Sequence, residues 1–143
     1  MPTTAAPADL KTLVRDMRVD IIRMIEAAGN GHPGGSLSVI DLLAVLYWKF
    51  LKHDPKNPAW EGRDRLILSK GHACPALYAA MAYRGYFPKE RLMTLRKLGS
   101  PLQGHPDRLR LPGIDIPPQP GEVQRQRCLA ALATFQAPES VHA

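Results

Sequence analysis

Three of the five histidines directly follow a glycine: Gly31-His32 in "GNGHPGGS", Gly71-His72 in "SKGHACPALY" and Gly104-His105 in "LQGHPD". Imidazole can hydrogen-bond an anion, carry a proton near neutral pH or ligate a metal. A neighbouring glycine lets backbone or ligand approach closely. His72 has the fullest setting, because the apolar run "LILS" leads into Lys70-Gly71-His72 and a helix start follows. The carboxyl ends of parallel strands open onto the crevice where α/β proteins bind ligands. The first turn of a helix also offers unpaired N–H groups to a phosphate. Each Gly-His turn taken singly is more often a capped helix end than an active site. His32, His72, Cys74 and His105 include enough donors for zinc, but they lack the close-paired spacings of structural zinc sites. "GHPGGS" is not a Walker loop, since no Lys-Ser/Thr follows its glycines. Cys74 precedes a proline at a helix start, as suitable for packing as for reactivity.

The elements that must hold these turns are legible in outline. Leu10, Leu13, Val14, Met17, Ile21, Met24, Ile25 and Ala28 recur at three- and four-residue intervals, which predicts an amphipathic helix over 9–28. Asp9 suits its N-cap, and Gly29 with Asn30 suits its end. Ser36 or Ser38 is placed to cap a second helix reaching about Leu51, with Asp41 three residues after Ser38 in a capping-box arrangement. That helix is apolar nearly all round, which expects burial on several sides, in a layered core or at a subunit interface. "LILS" (66–69) reads as a buried parallel-type strand. The helix after His72 has Pro75 in its first turn and Gly85 at its close. A short helix over 88–98 ends at Gly99. The order helix, helix, strand, glycine turn, helix predicts an α/β fold with helices packed on a parallel sheet, helix-rich in this chain. From residue 116 the character changes: "IPPQPGEVQRQ" reads as a linker, with one further helix over about 122–136.

Charge and composition narrow the function classes. The formal charge is +6, but acidic residues interleave with the basic ones and no nucleic-acid-binding motif is present, so a nucleic-acid partner is not expected. A moderately basic fold that handles phosphorylated small molecules fits the same balance. "VIDLLAVLYWKFL" carries Asp41 and Lys49 and is too short for a membrane span, so no membrane partner is expected. "MPTTAAPADLK" lacks the basic and apolar regions of a secretion signal. Cys74 and Cys128 lack CxxC spacing, which points to a reducing, cytoplasmic setting.

Together, "GNGHPGGSLSVIDLLAVLYW", "RDRLILSKGHACPALYAAMAYRGYF" and "LGSPLQGHPD…LPGID" resemble the N-terminal part of transketolase over about residues 9–115. The resemblance is closer to the short N-terminal subunit found where transketolase is split into two chains. The related deoxyxylulose-phosphate synthases share the fold but read differently around the second histidine. The resemblance implies a thiamine-diphosphate-binding α/β fold, of which this chain holds a truncated, helix-rich first part. It implies transfer of a two-carbon ketol unit between sugar phosphates, as in the pentose phosphate pathway, with the cofactor as electron sink. By the same resemblance, His72 meets the diphosphate end of the cofactor. His32 contacts substrate near its reacting carbons. His105 lies near the thiazolium and the substrate hydroxyls, suited to proton transfer. His32 and His105 are thus the expected catalytic and substrate-binding residues, and His72 the cofactor-binding one.

The departures from the family pattern carry their own expectations. A Ser-Thr-Gly-Ser-Leu-Gly-Gln-Gly-like run would follow "LPGID", whereas Asp115 is followed by "IPPQPGEVQRQ". The Gly-Asp-Gly…Asn element that holds Mg²⁺ on the diphosphate is absent, and so is the glutamate that activates the aminopyrimidine. Residues 1–115 therefore read as the family-like domain and 116–143 as a divergent tail. Gln119-Pro120-Gly121 stands where a displaced Ser-Leu-Gly would, so a reading-frame shift near codon 116 is one account, tested by the nucleotide sequence. Two functional readings follow from the resemblance. One is an enzyme subunit that needs a transketolase C-terminal subunit or self-association. The other is an inactive truncated or frame-shifted homologue, an interaction module through its apolar helix faces.

Overall fold

The computed structural model describes residues 9–115. Helix α1, Leu10–Ala28, starts and stops where local chemistry directs. The Asp9 carboxylate accepts from the backbone N–H of Lys11 at 2.9 Å and from the Thr12 hydroxyl. Gly29 takes a left-handed φ of 70° and its N–H closes on the Glu26 carbonyl at 2.9 Å. Val14, Met17, Ile21 and Met24 form its buried face. Full burial of each such side chain contributes about 1.5–3 kcal/mol. Leu10, Leu13, Ile25 and Ala28 flank that stripe, partly buried against the same core.

Helix α2, Pro33–Val45, begins earlier than the serine pattern predicts. Pro33 sits in the first turn, where its fixed φ favours the helix and its missing N–H costs nothing. His32, extended at φ −122°, becomes the N-cap residue without a side-chain cap bond. The serines are therefore inside the helix. Ser38 bonds back to the Gly35 carbonyl at 2.9 Å, and the buried Ser36 Oγ has no partner among the described residues. Asp41 does not cap; it pairs with Arg18 of α1. The helix widens into a π turn over Leu46–Phe50, closed by the Leu51 N–H on the Leu46 carbonyl at 2.8 Å. Ile40, Leu43, Ala44 and Tyr47 are buried, while Leu42 (58%) and Phe50 (71%) remain exposed.

The predicted strand at 66–69 is not formed. Residues 66–68 form no regular element and the chain bends at Ser69, and no strand is present among the described residues. A strand exists only through a neighbour's ladder bonds, and the Leu66 N–H goes instead to the Asp115 carboxylate at 3.0 Å. The helices packed on a parallel sheet are thus realised within 9–115 only as helices.

A single 3₁₀ turn, Gly71–Ala73, leads into α3, Cys74–Tyr83. Every residue from Cys74 to Ala82 is buried, as expected of a helix enclosed by α1, α2 and the segments around them. Four alanines in α3 let its neighbours approach closely. Its end is a Schellman arrangement: Gly85 (φ 88°) donates to Ala82 at 3.0 Å and Tyr86 to Met81 at 3.1 Å. Tyr83 Oη donates to Asp20 of α1 at 2.8 Å.

The helix predicted over 88–98 is a 3₁₀ segment, Lys89–Thr94. Two left-handed residues, Arg96 (φ 60°) and Gly99 (φ 79°), turn the chain, and the Arg96 N–H closes on the Leu102 carbonyl at 2.8 Å. At the far end Asp115 binds Arg63 through both carboxylate oxygens, at 2.5 and 3.1 Å, and Arg65 at 3.3 Å. The helix predicted over about 122–136, and the tail that carries it, lie outside the described residues.

Candidate functional site

The three Gly-His turns meet around α2's first turn and the entry to α3. A methyl group built on Gly35 would lie 3.0 Å from His72 Nε2 and 3.1 Å from its Cδ2, with the Lys70 Cδ at 3.8 Å. A methyl on Gly71 would come within 2.8 Å of His105 Cδ2. Each glycine is thus the seat of the next turn's imidazole: Gly35 under His72, Gly71 under His105. Neither glycine has a left-handed φ, so close approach, not backbone conformation, is what requires glycine there.

His32, His72 and His105 are all exposed, and none hydrogen-bonds another described residue. Their ring nitrogens are therefore open to a ligand. His72 and His105 are brought together through Gly71. His32 joins them through its turn, three residues before Gly35, not through a contact of its own ring.

The His105 turn is anchored from α3. Cys74 Sγ donates to the Gly104 carbonyl at 3.0 Å, and Tyr78 Oη to the Gln103 carbonyl at 2.8 Å. Burial pushes the Cys74 thiol up to about 12 and raises the Tyr78 phenol, so both stay protonated donors. Cys74 is a positioning group and not a nucleophile. Ser100 receives the Leu102 N–H at 3.1 Å and pairs with Thr94 Oγ1 at 2.8 Å, which shapes the approach to the same loop. Sequence reasoning missed these anchors, and it missed Arg96, whose guanidinium lies against both Gly31 and Gly104. Nothing local to Cys74, Tyr78 or Arg96 announces a partner 25 or more residues away.

His53 is the contrasting case. It is buried, stacked on Tyr86 and edge-on to Tyr47. Its Nε2 lies 3.0 Å from the Tyr47 carbonyl and 3.2 Å from Arg84 Nε, two contacts that ask opposite roles of one nitrogen. The tautomer with the proton on Nε2 satisfies the shorter contact and leaves Nδ1 to accept from Tyr86 Oη at 3.0 Å. Desolvation, the largest influence, holds His53 below its ordinary value. The ring is fully engaged in packing and is no part of the site.

Among the described residues no three His, Cys, Asp or Glu side chains converge to hold a metal ion. The donor set His32, His72, Cys74 and His105 does not assemble, since Cys74 Sγ is turned to loop carbonyls.

Residues 10–131 match the family described as transketolase, thiamine diphosphate binding domain. The chain belongs to that family. The 6-deoxy-6-sulfo-D-fructose transketolase subunit SqwG of Clostridium sp. (strain MSTE9) is 50% identical over 108 residues, covering 76% of this chain and 39% of that protein. Transketolase 2 of Escherichia coli (strain K12) is 40% identical over 108 residues, covering 75% of this chain and 16% of the relative. Among solved structures, transketolase from Leishmania mexicana superposes with a TM-score of 0.74 at 30% identity, over 79% of this chain and 17% of that one. Transketolase from Campylobacter jejuni gives 0.68 at 39% identity, over 75% and 17%. The chain therefore spans about two-fifths of the length of SqwG and about one-sixth of the other transketolases. These likenesses carry the α/β thiamine-diphosphate-binding fold class, of which the described residues show a helical part. No helix among the described residues is long and apolar enough to cross a membrane.

Proposed function

We propose that this chain supplies the histidine wall of a thiamine diphosphate site for two-carbon ketol transfer between sugar phosphates. The observation that carries the reading is the seating of His72 on Gly35 and of His105 on Gly71, which gathers three exposed, unpaired imidazole turns. The residues present fit the anionic end of the cofactor. His72 and Lys70 both border Gly35, and the adjacent α2 start has no side-chain cap competing for its N–H groups. They do not supply a cradle for Mg²⁺ among the described residues.

His72 orients the diphosphate by hydrogen bonding. Thiamine diphosphate, when bound, supplies the electron sink for breaking the carbon–carbon bond beside a ketose carbonyl. His32 and His105 hydrogen-bond the substrate hydroxyls, and His105 moves a proton to or from the substrate oxygen as that bond breaks or forms. A C-terminal transketolase subunit or a second copy completes the site, a reading supported by the exposed Leu42 of α2 and Phe50 of the π turn that follows it. The likeness to SqwG makes a sulfonated ketose a donor worth assaying beside the phosphorylated one.

The test is titration of the chain with thiamine diphosphate, watched through its histidine ring NMR signals, then ketol-transfer assay with a split-transketolase C-terminal subunit added. The His72 signal is expected to move while that of His53 does not, and His72→Ala to abolish binding. A His53 shift equal to that of His72, or unchanged binding by His72→Ala, refutes the site.

A further inference from the structure

Arg96 combines three unusual features. It is the one non-glycine residue with a left-handed φ among the described residues, at 60°. Its side chain is exposed, yet its guanidinium occupies a defined place. And that place lies between two of the histidine turns. Its Nη1 donates to Asn30 Oδ1 and lies 3.8 Å from where a methyl on Gly31 would stand. Its Nε lies 2.9 Å, and its Cζ and Nη2 3.4 Å, from the corresponding point on Gly104. Gly31 and Gly104 are the residues that immediately precede His32 and His105. Asn30 is held in turn by its own Nδ2, which donates to the Ala28 carbonyl at 3.2 Å.

A side chain larger than hydrogen is disfavoured at such a φ, and glycine adopts it freely. An observed strained residue invites the question of what its side chain does that glycine does not. Here the answer is geometric. The guanidinium is rigid and planar with donors in a fixed fork. It fills the space over Gly104 and bonds Asn30 on the Gly31 side, where Ile25, 3.2 Å from the corresponding point, packs nearest the glycine.

We propose that Arg96 is a positioning residue that sets the spacing between the His32 turn and the His105 turn. It deepens the reading given under Proposed function, because that spacing determines whether one substrate can meet both imidazoles. The tie itself belongs to the chain without ligand and is tested there. Removing the guanidinium frees the two turns to move separately, while the α3 anchors from Cys74 and Tyr78 still hold Gln103 and Gly104.

The experiment is a double-mutant cycle read by histidine ring carbon–proton NMR on the full chain without ligand. Arg96→Gly keeps the left-handed turn and removes the guanidinium. It is expected to move the His32 and His105 ring signals together and to leave that of buried His53 in place. Asn30→Ala changes only the His32 side of the gap, yet is expected to shift the His105 signal through Arg96. In the Arg96→Gly background, Asn30→Ala is expected to lose that effect on His105. Asn30→Ala lies outside the strained turn, so the test survives if Arg96→Gly fails to fold. The proposal is overturned if Asn30→Ala leaves His105 unmoved, or acts on it equally with and without Arg96. Movement of His53 as large as that of His105 also overturns it, since the effect is then a general loosening. A failed thiamine diphosphate titration with an intact cycle would remove the proposed function and leave the tie standing.

Discussion

Gly71→Ala should separate the stability of this fold from the geometry of its site. The added methyl would lie 2.8 Å from His105 Cδ2, 3.6 Å from Nε2 and 3.9 Å from Cγ. Ordinary carbon–carbon contact begins near ~3.5 Å, so the ring must retreat by about 0.7 Å. It can do so cheaply. His105 is exposed, its ring has no hydrogen bond to break, and Gly71 is not left-handed, so alanine meets no backbone strain. The substitution also lowers the entropy of the unfolded chain, worth about 0.4–1 kcal/mol in favour of folding. The net change in stability is therefore expected within about 0.5 kcal/mol of zero, a shift of a few degrees at most in Tm. Function is another matter. In the proton-transfer role proposed for His105, a displacement of this order costs roughly 10- to 100-fold in rate. The assay pairs urea unfolding of the chain with ketol transfer in the reconstituted complex, and the loss should appear in kcat more than in KM. Gly71→Ala with full activity and an unmoved His105 ring signal would refute the argument. A large loss of stability would refute it from the other side.

Three further predictions rest on buried groups. Because burial holds His53 below its ordinary 6.5, the unfolded chain binds more protons than the folded one as pH falls below about 6.5. The contribution is fully present above that pH and is lost toward the lower folded value; urea unfolding at pH 7.5 and pH 5 should show the slope, and His53→Gln should flatten it. Asp115→Asn leaves the buried Arg63 without its bidentate partner and should destabilise the chain by about 3 kcal/mol. A cost no greater than the ~0.5 kcal/mol of a surface pair in urea titration would contradict the burial of that ion pair. Cys74, fully buried and pushed up to about 12, should resist a thiol reagent at pH 8 in a Cys128→Ser background and react only at the rate of unfolding; fast native labelling would count against its anchoring role.

Much of the helical framework was legible because its signals are local. Asp9 and Gly29 bound α1 within a residue of the prediction, and Pro75 with Gly85 frames α3, since caps and fixed φ angles act within one turn. Competing local signals are where the reading slipped. Ser36, Ser38 and Pro33 all mark a helix start, and the proline prevailed, which left Ser36 buried and sent Asp41 to Arg18. "LILS" has strand composition but no neighbour to pair with in the described residues, and composition cannot supply a ladder.

Local signals in the chain marked α1, α2 and α3, the three glycine-preceded histidines and, through their motifs, the family. Only the tertiary structure decided that His72 rests on Gly35 and His105 on Gly71. It alone placed Cys74 and Tyr78 beneath the His105 turn and Arg96 between the histidine loops. The physical reason is range. Propensity, capping and periodicity act over four or five residues, whereas Asn30 and Arg96 stand 66 residues apart and meet only once α1, α2 and α3 have packed.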